Sequence, residues 1–92
     1  MNNDIRLTAE EATTFHYRKR NAMVMWCVTR NPSDYPGMTV ARAHMILPGK
    51  SVALRTVLVA ATLEAIREQL PHGLARLERD PDDDPIIAEV WL

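Results

Sequence analysis

Five residues of this 92-residue chain could form a recognition surface if they share one face of a β-sheet. Trp26, Arg42 and His44 come from two apolar segments, and Glu89 and Trp91 come from a third. Protein interfaces are enriched in aromatic and arginine side chains, and a guanidinium stacked on an indole gains roughly 0.5–1 kcal/mol even when exposed. These residue types therefore predict binding to a protein surface. If the face binds a small ligand or catalyses a reaction instead, His44 and Glu89 are its polar participants.

The shared face depends on the register of a hairpin formed by Met23–Thr29 and Met38–Leu47, which are rich in strand-forming residues. We expect Arg30 to lie opposite Met38, which produces one apolar face and one mixed face. The pairs of the mixed face are then Val28 with Val40, Trp26 with Arg42 and Val24 with His44. The pairs of the apolar face, expected under a helix, are Cys27 with Ala41, Met25 with Ala43 and Met23 with Met45. A shift of one residue would exchange the faces.

Other reactive side chains predict no catalytic or metal site. A reactive cysteine needs a nearby imidazole or positive influence, and the expected register places Cys27 and His44 on opposite faces. The acidic run at 80–84 alternates like the start of a calcium loop, but Pro85 stands where glycine is needed. The histidines are too scattered, and the cysteines too few, for a structural zinc site. We expect no metal and no cofactor.

A basic run offers a weaker alternative, nucleic-acid binding. Arg18, Lys19 and Arg20 follow His16 and Tyr17, and such mixtures support base stacking and phosphate contact. Residues 1–55 hold eight basic and four acidic side chains, whereas residues 56–92 hold three basic and eight acidic ones. The asymmetry can favour nucleic acid or head-to-tail self-association, but the two halves of a compact domain can also interleave.

Length and composition predict one domain over residues 1–92. Apolar residues make up 47% of the chain and charged residues 25%, as in globular proteins. No apolar run approaches the roughly 18 residues of a membrane span, and the start lacks the blocks of a secretory signal. A lone cysteine agrees with a reducing compartment. We expect a cytoplasmic protein without a membrane partner.

Turn and helix signals define the remaining elements. Asn31–Asp34 suits a type I turn, and Tyr35-Pro36-Gly37 suits a type II turn whose third position favours glycine. Thr8 and Glu11 have capping-box spacing, so a short helix should begin after Thr8 and end near Thr13 or Thr14. Residues 1–20 are then either a mobile segment or, through residues 5–20, a cover for the Trp-bearing face.

The segment from Ser51 to Leu70 has two interpretations. Apolar residues keep helical spacing throughout, which permits one long helix. The β-branched run at 56–59 instead favours a strand, with a helix starting near Ala61 or Thr62 and ending before Pro71. With a final strand at 86–92, we predict an α+β domain: an antiparallel sheet of three or four strands with one main helix packed on one face.

Several segments together resemble a group of short bacterial proteins of unknown function, over about residues 23–92. They are Tyr35-Pro36-Gly37, Leu58-Val59-Ala60, Thr62–Arg67, Asp83–Ile87 and Glu89–Leu92. The resemblance implies a self-contained bacterial domain and supplies no catalytic residue. The strand-to-helix segment is also similar to small antitoxin-type domains that bind a partner protein, which is an analogy of topology alone. The predicted function is a non-enzymatic, self-associating or partner-binding module, with a homodimer as the first expectation.

Overall fold

The protein folds around one six-stranded sheet in a computed structural model that describes residues 3–18, 23–77 and 87–92. The elements are β1 Ile5–Arg6, α1 Ala9–Arg18, β2 Met23–Arg30, β3 Thr39–Leu47, β4 Lys50–Ala60, α2 Leu63–Gln69, β5 Arg76–Leu77 and β6 Ile87–Trp91. The strand order is β1-β4-β3-β2-β6-β5. β1 runs parallel to β4, and the other neighbours are antiparallel.

The α+β class is confirmed, but the predicted antiparallel sheet of three or four strands with one main helix is wrong. The sheet is mixed, and two short helices accompany it. β1 and β5 have only two residues each, too few to produce an alternating apolar pattern. Within the final segment β6 is described from Ile87, while Ile86 and the acidic run at 80–84 lie outside the described residues.

The β2–β3 hairpin pairs one residue away from the expected register. Arg30 lies opposite Thr39 rather than Met38. The loop closes one residue later than expected, because the Asn31 N–H donates a 2.7 Å hydrogen bond to the Met38 carbonyl. Asn31 adopts the left-handed conformation at φ 50°, which asparagine tolerates better than most residues. Since side chains alternate along a strand, this single step moves the β2 side chains to the opposite face relative to those of β3, and Ala41 and Ala43 stay on the side expected under a helix.

The loop between these strands contains the predicted type II turn. The Met38 N–H donates to the Tyr35 carbonyl at 3.1 Å, and Gly37 has φ 75°. The first turn lies one residue later than predicted, because the Tyr35 N–H donates to the Pro32 carbonyl at 3.0 Å. The Asn31 side chain closes the loop by accepting from the Gly37 N–H at 2.7 Å.

Both helices begin at side-chain caps that the sequence indicates. Thr8 and Glu11 form the capping box, with hydrogen bonds of 2.9 and 3.2 Å. α1 nevertheless continues to Arg18 instead of ending near Thr13 or Thr14, since Ala12 is fully buried and Phe15 packs on the core. The strand-then-helix interpretation of the 51–70 segment is confirmed, and Thr62 caps α2 by accepting from the Ala65 N–H at 3.1 Å.

Within residues 3–18, 23–77 and 87–92, both helices lie on one side of the sheet, which we call the helix side, and we call the opposite side the helix-free side. Trp26, Val28, Leu58 and Ile66 are fully buried on the helix side, where α1 and α2 complete the main core. On the other side a small cluster forms where the loop residues Tyr35 and Met38 pack on β3 and β4. Neither helix of the described residues is long and apolar enough to cross a bilayer. A cytoplasmic location and a bacterial origin stay predictions.

Candidate functional site on the helix-free face

The five residues expected on one face are divided between the two sides of the sheet. Trp26 lies opposite Trp91, and Glu89 lies opposite Val28, so these three side chains share the helix side. Arg42 and His44 point to the helix-free side. The prediction of a common face is therefore wrong, and the cause is the one-residue difference in hairpin register. Only Arg42 and His44 lie where a sheet-face partner or ligand could reach them.

Trp26 is an internal residue covered by α1. Its side chain is fully buried, and the Phe15 ring meets the indole edge-on with centroids 6.0 Å apart. The indole Nε1–H donates a 3.1 Å hydrogen bond to His16 Nδ1. Burial lowers the pKa of His16, which favours the neutral ring that this bond requires. Of the predicted covering segment 5–20, the described helix α1 covers Trp26 through Phe15 and His16, while residues 19 and 20 lie outside the described residues.

Glu89 is the buried centre of an ionic cluster on the helix side, whose arginine partners are exposed. Its carboxylate accepts hydrogen bonds from Arg67, from Arg76 at 3.0 Å and from the Trp91 indole at 3.2 Å. The hydrogen bond from Arg67, with further bonds from Arg76 and Trp91, lowers the pKa of Glu89 from its ordinary 4.5 to about 2. The cluster joins α2, β5 and β6, and its acceptor oxygens are occupied by the fold itself.

Arg42 is held in the corresponding cluster on the helix-free side. Nη1 and Nη2 donate to the two oxygens of Asp4 at 2.9 and 2.7 Å, a bidentate pair. Nη1 also donates to the Leu54 carbonyl at 2.9 Å, and Nη2 donates to Asp34 at 3.2 Å. The Tyr35 hydroxyl donates to Asp4 at 3.0 Å. These contacts tie the segment before β1 to β3 and to the hairpin loop.

Sequence reasoning missed Asp4, Asp34 and Tyr35 as members of this cluster. Asp4 is 38 residues from Arg42 along the chain, so no short-range spacing connects them. Asp34 and Tyr35 were interpreted as turn residues only. The available signal was the loop itself, which must fold over one face of the hairpin that it closes.

A cleft of about 280 Å³ lies between this cluster and the sheet. Its walls include strand residues and the near side of the hairpin loop. The lining residues are Cys27, Thr29, Pro32, Ser33, Asp34, Val40, Arg42, His44 and Ile87. Burial, and to a lesser degree the Arg42 charge, lowers the pKa of His44, so its ring is neutral near pH 7. The cleft brings the predicted residues Arg42 and His44 together with Asp34, which the sequence did not indicate.

Cys27 and His44 both line this cleft, although the expected register separated them. Cys27 lies directly opposite Arg42, and His44 is two residues further along β3 on the same face. The expectation that Cys27 and His44 lie on opposite faces is therefore wrong. Cys27 is 9% exposed and forms no disulfide. The two residues stand diagonally across the strand pair, a relation that typically separates them by about 7–8 Å, with their Cβ atoms somewhat closer.

Beside the cleft, the helix-free face carries a group of apolar side chains, and we name this group the Met patch. Met23 is 56% exposed and Leu77 is 41% exposed. Strand pairing places Met23 opposite Ile46 and Leu77 opposite Val90. Met25 lies opposite His44, and Val90 lies opposite Cys27. The Met patch consists of Met23, Met25, Ile46, Leu77 and Val90.

A second groove, of about 710 Å³, follows the outer side of α1. Its lining residues are Leu7, Glu10, Glu11, Thr14, Phe15 and Arg18. Of the predicted nucleic-acid residues, Arg18 is exposed at the end of α1, while Lys19 and Arg20 lie outside the described residues. Two carboxylates share the groove with Arg18, which disfavours phosphate there. Nucleic-acid binding stays a prediction for the run as a whole.

No family, relative or structural neighbour assigns a role to these surfaces. Comparison of the chain with protein-family models, with curated proteins and with solved structures gave no match. Within residues 3–18, 23–77 and 87–92, no three histidine, cysteine, aspartate or glutamate side chains come together as a metal site. The interpretation therefore depends on the geometry of the helix-free face alone.

Proposed function

We propose that this protein is a self-associating module whose copies pair through the helix-free face. The observation that carries the proposal is the Met patch, an apolar surface on the side of the sheet that α1 and α2 leave open. A sheet in a small domain normally buries at least one face, and the helix side satisfies that requirement here. The apolar residues of the other face need a different reason for their exposure.

The composition of the Met patch favours contact between two identical surfaces. Methionine is enriched in interface cores, and its flexible side chain adapts to an opposing surface. No member of the patch is charged, so a two-fold axis through it places no like charges against each other. His44, which borders the patch, is neutral near pH 7 and adds no repulsion.

Arg42 stabilises the helix-free face, but we do not expect it to contribute most of the free energy of association. Four of its donor contacts go to Asp4, Asp34 and the Leu54 carbonyl within the same chain. The proposed interface therefore relies on the Met patch, with Arg42 and His44 at its upper edge. The three helix-side residues of the predicted set take no part, because their polar atoms and rings are engaged inside the fold.

Light scattering coupled to size exclusion, from micromolar to millimolar protein, tests the proposal. We expect a dimer at high concentration that Met23→Lys shifts toward monomer, because a charge is then desolvated in an apolar contact. Val52→Lys is the matched control, since Val52 is 40% exposed but pairs with Met45 toward the helix side. Circular dichroism establishes that both variants stay folded.

A wild-type monomer at every concentration would contradict self-association. Equal loss of dimer in Met23→Lys and Val52→Lys would also contradict it, since the assembly would not depend on this face. In the first case the open apolar surface points toward a different protein as its partner.

A further inference from the structure

Among the described residues, the cluster beside the cleft has more carboxylates than guanidinium groups. Asp4 and Asp34 contribute two carboxylates against the single guanidinium of Arg42. The side chain of Asp4 is only 10% exposed, whereas that of Asp34 is 45% exposed at the cleft wall. The carboxylate that a visiting molecule can reach is therefore Asp34.

Arg42 is poorly placed to bind an anion, although an arginine in a cleft usually suggests one. Its two terminal nitrogens make four hydrogen bonds, two to Asp4, one to the Leu54 carbonyl and one to Asp34. These use all four N–H groups of the two nitrogens. An anionic ligand would have to displace Asp34 and would then face the carboxylate of Asp4.

The remainder of the lining suits an apolar body with one polar end. Val40, Ile87 and Cys27 provide an apolar floor, and Thr29 and Ser33 add hydroxyl groups beside Asp34. A volume of about 280 Å³ lies just below the range of drug-sized pockets, which begins near 300 Å³. The space is enough for a molecule of about ten non-hydrogen atoms.

We propose that this cleft binds a small organic cation, an amine on a short alkyl or aryl body, with its ammonium at Asp34 and its apolar part over Val40 and Ile87. The neutral His44 ring at the lower wall offers one further hydrogen bond and no competing charge. The inference goes beyond self-association and does not depend on it, because the cleft is complete within one chain.

Titration of the 92-residue protein with phenethylamine, followed by amide and histidine-ring NMR shifts, tests the inference. The neutral 2-phenylethanol and the anionic 3-phenylpropanoate have the same aryl body and serve as isosteres. We expect phenethylamine to bind in the millimolar range, about fivefold tighter than the alcohol and tighter still than the carboxylate. The shifts should concentrate on Thr29, Ser33 and His44.

Asp34→Asn should reduce the affinity for phenethylamine to that for the alcohol, because it removes the reachable charge and keeps the shape of the side chain. Glu10→Gln on α1 makes the same change in net charge far from the cleft and should leave the affinity unchanged. Equal affinities for the three probes would overturn the inference. So would shifts confined to other surfaces, or no shift with phenethylamine in the millimolar range.

Discussion

The indole of Trp26 donates its Nε1–H to His16 Nδ1 at 3.1 Å, which fixes α1 over the centre of the sheet. The acceptor nitrogen must be unprotonated, so the bond holds His16 as the neutral tautomer with its proton on Nε2. A titratable group is thereby built into the contact between the N-terminal helix and the core. This contact makes the stability of the fold dependent on pH near neutrality.

Stability should decrease as the pH falls below about 6.5. The pKa of His16 is lowered by burial in the folded chain, so the unfolded chain binds the proton more readily. The contribution is complete above the ordinary histidine pKa and is lost as the pH falls through the lower folded value. Urea unfolding followed by tryptophan fluorescence between about pH 8 and 5 measures it.

His16→Asn keeps an acceptor oxygen near the Nδ1 position and removes the titration. The variant should show a weaker pH dependence over the same interval, with the remainder due to His44, whose pKa is also lowered by burial. An unchanged slope in the variant would show that His16 does not contribute.

Trp26→Ala should destabilise the fold by about 3–5 kcal/mol, the usual cost of emptying a large buried aromatic site. The side chain is fully buried and packs against Phe15. Met23→Ala, on the same strand but 56% exposed, should cost less than about 1 kcal/mol. Urea unfolding monitored by circular dichroism compares them, and equal losses would contradict the assignment of Trp26 to the core.

Sequence reasoning succeeded for features that depend on residues close together in the chain. The capping box at Thr8, the type II turn at Gly37 and the helix start at Thr62 depend on neighbours within a few residues, and each is present. The β-branched run at 56–59 also separated strand from helix in the 51–70 segment, where periodicity alone permitted one long helix. These features are local, so their residue types determine them almost directly.

The site was harder to predict because it depends on register and on distant contacts. The hydrogen bond between Asn31 and Met38 sets the register, and one residue of error placed the β2 side chains on the wrong face relative to those of β3. Asp4 reaches Arg42 across 38 residues without any spacing signal. The sequence could identify Arg42 and His44 as candidates but could not identify their surroundings.

Asp4→Asn should destabilise the fold by about 1–3 kcal/mol, because it weakens a bidentate ion pair whose carboxylate is largely buried. Asp34→Asn, which affects a 45% exposed partner of the same Arg42, should cost less than about 1 kcal/mol. Urea unfolding of both variants at neutral pH provides the comparison. A larger effect at Asp34 would mean that the loop contact, not the N-terminal anchor, holds Arg42.

The Tyr35 hydroxyl belongs to the same cluster and allows a stricter test. Asp4→Asn, Tyr35→Phe and the double variant form a cycle around their 3.0 Å hydrogen bond. We expect a coupling free energy of about 0.5–1.5 kcal/mol, since the two residues share a partly buried network. Additive effects would indicate that the loop and the segment before β1 are held independently.

Glu89 should determine the acid stability of the domain. Its pKa is lowered from 4.5 to about 2 by its arginine and indole partners, so folding favours the charged carboxylate. The contribution is therefore complete above pH 4.5 and is lost as the pH falls toward 2. Glu89→Gln should lower the free energy of unfolding at pH 7 by about 1–3 kcal/mol and flatten its dependence on pH in that interval.

Glu68→Gln is the control, because Glu68 is an exposed residue of α2, and it should leave both quantities unchanged. Acid titration of the circular dichroism signal measures the midpoint, and a midpoint equally displaced in both variants would assign the acid sensitivity to overall charge instead of to Glu89.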